Sequence, residues 1–247
     1  MERLSNDERN EIFRRVEENI RVLKEKAGEA AVRSGRRPED ITILAVTKTV
    51  PAEIINHAIH CGMTHIGENR VQELLEKYGQ LDLSGCKAQI IGTLQTNKVR
   101  KIIGLVEMIQ SVDSGRLAAE INRVGEQKGV VTDCLVEVNI GREENKGGIA
   151  PEALDELLGE IAPMKAVRVR GLMAIPPICE TAAQVRRYFS QMTQLFLDRK
   201  GKTSDNISMD FLSMGMSADY EEAILEGANY IRPGTALFGH RTYPKLR

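Results

Sequence analysis

A chain of 247 residues with 42% hydrophobic content can bury a large core, and its length matches that of an eight-unit α/β barrel. Its 34 basic and 35 acidic residues give a formal net charge of -1 and are spread along the sequence, which argues against a nucleic-acid partner or an acidic membrane surface. No apolar run approaches a secretion signal or a membrane span, so a cytoplasmic location is expected. Cys61, Cys86, Cys134 and Cys179 stand far apart without a CxxC pair, which leaves free thiols as the expectation rather than a disulfide scaffold or a zinc site.

The first predicted element lies within residues 1–35. Ser5-Asn6-Asp7-Glu8 forms a capping-box pattern, and Ile12, Phe13, Val16, Ile20, Leu23 and Ala27 follow at helical spacing, so an amphipathic helix is expected to end near Ser34-Gly35. From residue 41 to residue 239, eight apolar, β-rich stretches alternate with helical segments. The stretches are ITILAVT, MTHIG, AQIIGTL, EMIQSV, TDCLVEVNI, RVRGLMAI, ISMDFLSM and YIRPGTALF. The helical segments span 51–61, with Pro51 in the first turn, then 69–79, 95–104, 114–128, 151–161, 181–200 and 217–227.

Strict alternation requires a parallel sheet with right-handed crossovers, and eight units in this length favour closure over an open sheet. No GxGxxG follows the first strand, which weakens a dinucleotide-binding reading. The sequence therefore predicts an α/β protein, a single (β/α)8 TIM barrel with an extra amino-terminal helix, in one domain over 1–247. Only His240 to Arg247 follow the eighth strand, so no last helix is expected there, and the first helix is expected to cover that gap.

Barrel chemistry sits at the carboxyl ends of the strands, where Lys48 closes strand one. A lysine partly buried there has its charged form disfavoured, and the neutral amine can attack an aldehyde to form a Schiff base. The competing reading is a strand-end lysine that extends to water. At the other end of the chain, LSMGMSADYEEAI places Ser213, Gly215 and Ser217 between a strand and a helix, with Ser217 in the cap position. IRPGT then supplies Arg232, Gly234 and Thr235 after strand eight. Phosphate sites in such barrels use these two loops. Closure sets strand eight beside strand one, so an aldehyde-reactive amine meets a phosphate cradle. That pairing describes a site for pyridoxal 5′-phosphate, and a phosphosugar Schiff-base aldolase would present the same two elements.

Other motifs read more plainly. His57 and His60 lie i, i+3 on a helix without a third ligand nearby and are expected on its surface. GREENKGG lacks the GK[ST] ending of a P-loop, so Lys146-Gly147-Gly148 is read as a loop. Glu68 is the one carboxylate expected in the pocket, and no paired acid/base constellation is visible.

AVTKTVP, HIGENRVQELLEKY, IGTLQTNK, SVDS, EVNI with NKGG behind it, GLMAIPP, LSMGMSADYEEAI and IRPGTALFG closely resemble the pyridoxal phosphate homeostasis family over residues 41–239. The resemblance implies a barrel like the amino-terminal domain of alanine racemase. It implies that Lys48 carries the cofactor as a Schiff base, that Ser217, Gly234 and Thr235 hold its phosphate with Ser213 added, and that Asn69 neighbours the ring. It places Arg232 beside the cofactor, on either the phosphate or the ring nitrogen. Two residues depart from the family pattern: Val50 stands where many relatives carry a second lysine, and Gln89 replaces a histidine. Racemases with this barrel carry a further β-rich domain, for which no room is expected after Gly239. The expected function is therefore a non-catalytic carrier or buffer of intracellular pyridoxal phosphate that delivers it to apoenzymes; the alternative is a pyridoxal-phosphate-dependent, racemase-like enzyme acting on amino acids.

Overall fold

The computed structural model describes residues 6–202 and 204–239. Ser5 of the expected capping box and the tail His240–Arg247 lie outside the described residues. Helix α1 spans Asn6–Arg33. Its Val16, Ile20, Leu23 and Ala27 recur on one face and are buried in the main core, as their spacing dictates.

The first apolar stretch does not form one uninterrupted strand. It divides into β1 (Thr42–Ile43) and β2 (Ala45–Val46), and the two halves pair with opposite neighbours. The seven further strands are β3 (His65–Glu68), β4 (Lys87–Ile90), β5 (Met108–Val112), β6 (Thr132–Val138), β7 (Val167–Ala174), β8 (Ile207–Ser213) and β9 (Tyr230–Ile231). All neighbours are parallel, in the order β1-β9-β8-β7-β6-β5-β4-β3-β2. Both ends of this order belong to the same stretch of chain, so β1 and β2 together occupy one strand position and the sheet closes on itself. Leu44 N–H donates to Ile231 C=O at 2.9 Å and Val46 N–H to Pro233 C=O at 2.9 Å, while Thr47 N–H donates to Gly67 C=O at 2.9 Å on the other side. The expected (β/α)8 TIM barrel with its amino-terminal helix is what forms.

Between the strands run α2 (Ala52–His60), α3 (Val71–Tyr78), α4 (Thr96–Ile102), α5 (Gly115–Lys128), α6 (Leu154–Ile161), α7 (Ala182–Lys200) and α8 (Tyr220–Leu225). Each carries an apolar face inward; on α2 it is Ile54, Ile55, Ala58 and Ile59. Full burial of one such isoleucine contributes about 1.5–3 kcal/mol.

Two expectations at the carboxyl end require correction. YIRPGTALF is not a strand throughout: the strand ends at Ile231, Pro233 accepts from Val46 but has no N–H to continue a ladder, and Thr235–Phe238 turns into a short helix, α9. A last helix therefore does form, from residues that read as strand. It is too short to cover the barrel alone, and α1 completes the cover: Asn19 Nδ2 donates to Leu237 C=O at 2.9 Å. Just beyond α1, Arg36 donates to Ile224 C=O in the last turn of α8 and to Ala228 C=O at 2.8 Å in the loop after it, which places a cation at that helix's carboxyl end.

The barrel interior is layered. Leu44, Val46, Ile91 and Tyr230 form one apolar cluster, and Met108, Leu135 and Met173 another, with Phe211 packed against both. A chain of polar side chains threads between them.

Candidate functional site

The sequence-predicted residues all stand at the carboxyl ends of strands, on one face of the barrel: Lys48 after β2, Asn69 after β3, Ser213 and Ser217 at and after β8, and Arg232, Gly234 and Thr235 after β9. The structure gathers them as two clusters bridged by backbone.

The first cluster holds the Lys48 turn. Contrary to the expectation of partial burial, Lys48 is exposed. Among the described residues, its Nζ makes no hydrogen bond or ion pair. What is buried is the support beneath it. Lys77, 3% exposed, places its ammonium 2.9 Å from Glu68 Oε1, 2.6 Å from Glu73 Oε1 and 3.0 Å from Thr47 C=O. Glu68 is itself 2% exposed and accepts from Thr47 Oγ1 at 2.8 Å. Glu73 accepts from the Thr49 N–H. Both neighbours of Lys48 are thus tied to one buried ion group, and Thr49 is held at φ +62°, a conformation that a β-branched residue adopts only under constraint. Burial pushes the Glu68 carboxyl above its ordinary range, against the pull of Lys77.

Glu68 Oε2 and Asn69 Oδ1 are buried and lack hydrogen-bond partners. Asn69 is pressed against the segment just after β4: a Cβ on Gly92 would meet the Asn69 carbonyl oxygen at 2.5 Å, so only glycine fits there. Orphaned buried acceptors are the kind of feature a ligand satisfies.

The second cluster joins the loop after β8 to the start of α9. Ser217 does not cap α8 as expected; the helix starts at Tyr220 with Asp219 at its cap position. The Ser217 hydroxyl instead accepts from the Gly234 N–H at 2.9 Å and the Ala236 N–H at 3.0 Å, which leaves its own O–H to donate. This bends the loop after β8 onto the start of α9, and Gly215 permits it: φ is +92°, and a Cβ would meet Tyr220 Cα at 3.0 Å. Thr235 is exposed beside these amides.

Arg232 is 3% exposed and is held by neutral oxygens, Ser213 Oγ at 2.6 Å and Ala174 C=O at 2.9 Å. Among the described residues no carboxylate lies within ion-pair distance of it. Burial pulls its pKa down to about 10, against the pull of Glu137 and Asp219, so it remains a cation at neutral pH. From Arg232 the polar chain descends through the barrel. Ser213 Oγ donates to Gln110 Oε1 at 2.7 Å, Gln110 Nε2 to Gln89 Oε1 at 2.7 Å, and Gln89 Nε2 to the Tyr230 hydroxyl at 2.7 Å and Glu107 at 2.9 Å. Gln89, the departure from the family pattern, is a link in this chain.

A further carboxylate, Glu137 near the end of β6, is buried at the same face. Burial, with Asp113 nearby, pushes its pKa up to about 7, opposed by Arg232. The 141–148 loop folds over it, since a Cβ on Gly147 would lie 3.4 Å from Glu137 Oε2.

Sequence reasoning missed Lys77, Gln110 and Glu137. Each had a signal: Lys77 falls three residues after Leu74 on the apolar face of α3, and Gln110 and Glu137 are long polar side chains in strands that are buried throughout. His57 and His60 do not share a site. His60 is exposed 2.9 Å from Asp82, whereas His57 turns to α1. No helix among the described residues is long and apolar enough to cross a membrane.

The closed parallel α/β barrel thus presents on one face an exposed amine, a buried guanidinium without a carboxylate partner among the described residues, and a serine gripped by two backbone amides. The chain belongs to the alanine racemase N-terminal domain family, which matches residues 13–242, and within it to the pyridoxal phosphate homeostasis proteins. A relative of that name from Aquifex aeolicus is 44% identical over 90% of this chain and 96% of its own length. One from Escherichia coli strain K12 is 37% identical over 93% and 98%. Among solved structures, PipY of Synechococcus elongatus PCC7942 with PLP bound is 33% identical, with a TM-score of 0.79, and covers 91% of this chain and 100% of that one.

Proposed function

We propose that this protein binds pyridoxal 5′-phosphate through a Schiff base on Lys48 and serves as a carrier or buffer of the cofactor rather than as an enzyme. One observation carries the reading: a lysine amine with no internal partner lies at the same barrel face as a buried guanidinium with no carboxylate partner. The strand that bears the amine is bonded to the strand that bears the guanidinium through Val46 N–H and Pro233 C=O. A PLP-bound solved relative and the names of the curated relatives support the choice of ligand.

The residues present fit the group. The Lys48 amine suits the aldehyde; their condensation forms a C=N bond and releases water. Ser217, Thr235 and the Gly234 turn offer hydroxyl and backbone donors to the phosphate, with Ser213 acting through Arg232. Asn69 offers the ring side an acceptor that is otherwise unsatisfied. Arg232 supplies the fixed positive charge. Bound in this way, the reactive aldehyde is masked until a recipient apoenzyme takes it, which is the chemistry a buffer requires.

The test is an absorbance spectrum of the protein with pyridoxal phosphate before and after borohydride, with the reduced adduct mapped by mass spectrometry. Reduction should fix one adduct on Lys48. An adduct on another lysine, or no spectral change on adding cofactor, overturns the reading. In Lys48→Ala the band should vanish while non-covalent cofactor is retained; equal and complete loss in Lys48→Ala and Thr235→Ala would contradict the division between amine and cradle.

Glu137 favours a second reading, a pyridoxal-phosphate-dependent enzyme acting on amino acids, because a carboxyl with a pKa near 7 at this face is suited to moving a proton. Incubating the loaded protein with amino acids in deuterated water separates the two. Exchange of the α-proton at rates of about one per second or faster would mark an enzyme.

A further inference from the structure

Outside the cofactor face, one cluster combines three different metal-ligating side chains. His57 and Cys61 lie one turn apart on α2 and at its carboxyl cap, and Glu17 reaches them from α1. Glu17 Oε1 is 2.9 Å from His57 Nε2, His57 Nε2 is 3.7 Å from Cys61 Sγ, and the three ligand atoms all lie within 4.8 Å of one another. Ligands of a tetrahedral zinc ion, at about 2.0–2.3 Å from the metal, stand about 3.3–3.7 Å from each other. The observed triangle needs only small side-chain rotations to reach that spacing.

The imidazole is already oriented. Phe13 stacks on His57 with ring centroids 4.0 Å apart and planes 4° from parallel, so Nε2 is directed toward Glu17 and the thiol. His57 and Cys61 are both half-buried, which shields the cluster on the barrel side and leaves the Glu17 side open to water. In its metal-free form Cys61 is an ordinary thiol, pushed up by burial and by Glu17 and eased by Lys24.

We propose that Glu17, His57 and Cys61 form a three-ligand site for a divalent transition metal of the zinc type, with water completing the shell. On binding, the thiol proton leaves to solvent and sulfur becomes a thiolate ligand. The imidazole gives Nε2 to the metal and keeps its proton on Nδ1, and the carboxylate binds as it stands. The two anionic ligands balance the divalent charge, and a mixed N, S, O set suits zinc better than magnesium or calcium. The site clasps α1 to α2. Helix α2 begins three residues after the Lys48–Thr49 turn and runs back along the barrel, so the metal would sit toward the end opposite the cofactor face, independent of the proposed cofactor chemistry.

Cobalt(II) titration of the full-length, chelator-stripped protein tests this directly. Wild type should bind one equivalent per chain, with a thiolate-to-cobalt charge-transfer band that zinc then abolishes. Cys61→Ser should lose the band. His57→Gln and Glu17→Gln should weaken binding by about tenfold or more. Because a substitution at the α1–α2 contact can disturb packing, a second measurement uses the unaltered protein: zinc should protect Cys61, and not Cys179, from alkylation and should raise the melting temperature. Absence of a one-equivalent endpoint, a band that survives in Cys61→Ser, or Cys61 alkylation unaffected by zinc would each overturn the proposal.

Discussion

The two halves of the barrel face treat buried charge in opposite ways. Beside β2 and β3, the buried ammonium of Lys77 is matched by Glu68 and Glu73, and the lysine proposed for chemistry stands outside in water. Beside β8 and β9, the buried guanidinium of Arg232 faces only neutral oxygens. A buried charge that is paired internally spends its interaction energy on holding the chain, here a strained turn that presents Lys48. One without a carboxylate keeps its field for whatever enters. On the proposed reading, the first half is a mount and the second a receptor.

The largest expected effect breaks the mount. Lys77→Met should destabilise the protein by about 3–5 kcal/mol, because it strands Glu68 in the interior, less whatever Glu68 recovers by taking up a proton. Adding Glu68→Gln should return most of that loss. Urea unfolding of the two single variants and the double variant reads this as a coupling energy; simple additivity would show that the pair is not the support it resembles.

Arg232→Met should behave in the reverse sense. Stability should change by no more than about 1 kcal/mol, since no internal ion pair is lost, while affinity for pyridoxal phosphate falls by about 10- to 100-fold, the worth of a charge-assisted contact. Calorimetric titration beside thermal melting separates the two quantities. A melting temperature that collapses without a change in affinity would make Arg232 structural and erase the contrast.

Ser217→Ala should fall between these in kind and below them in size. Removing its oxygen leaves the Gly234 and Ala236 N–H groups without their present acceptor. The stability cost should be about 1 kcal/mol, because water can reach this half-buried loop. Inorganic phosphate should offset it by occupying the same donors, visible as a larger phosphate-induced rise in melting temperature than in wild type.

The contrast also explains which parts were legible in the sequence. Strand–helix alternation and the placement of residues at strand ends follow local rules, so the barrel, the positions of Lys48 and Arg232 at its carboxyl face and the meeting of the Ser217 and Gly234 loops were readable. The exposure of Lys48 was not, because apolar neighbours along a strand do not determine where the turn after it points. The Ser217 role was misplaced because a serine before a helix looks like a cap, whereas its partners lie 17 and 19 residues away. Thr235–Phe238 read as strand because Leu and Phe suit either state, and the choice belonged to Pro233 and Gly234. Lys77 was hidden by a prior that lysines on helices face water. Glu68 and Glu73, which overturn that prior here, are gathered around it by the fold.

The most selective prediction concerns Glu137, which stands on neither side. Its folded pKa of about 7 lies above the ordinary glutamate value of 4.5, so in that window the native state holds a proton that the unfolded chain has already released. Between those values the folded form binds more protons, and this group alone makes stability fall as pH rises, by at most about 1.4 kcal/mol per pH unit. Above 7 the carboxylate is charged in both states and its contribution stops changing. The same ionisation places a negative charge near Arg232 and competes with an incoming anion, so affinity for pyridoxal phosphate should weaken as pH rises through about 7, over and above the titration of the phosphate itself. Glu137→Gln should remove that component and flatten both curves, because the amide has no proton to lose. If the pH dependence of binding persists unchanged in Glu137→Gln, Glu137 does not sense the ligand, and the receptor half ends at Arg232.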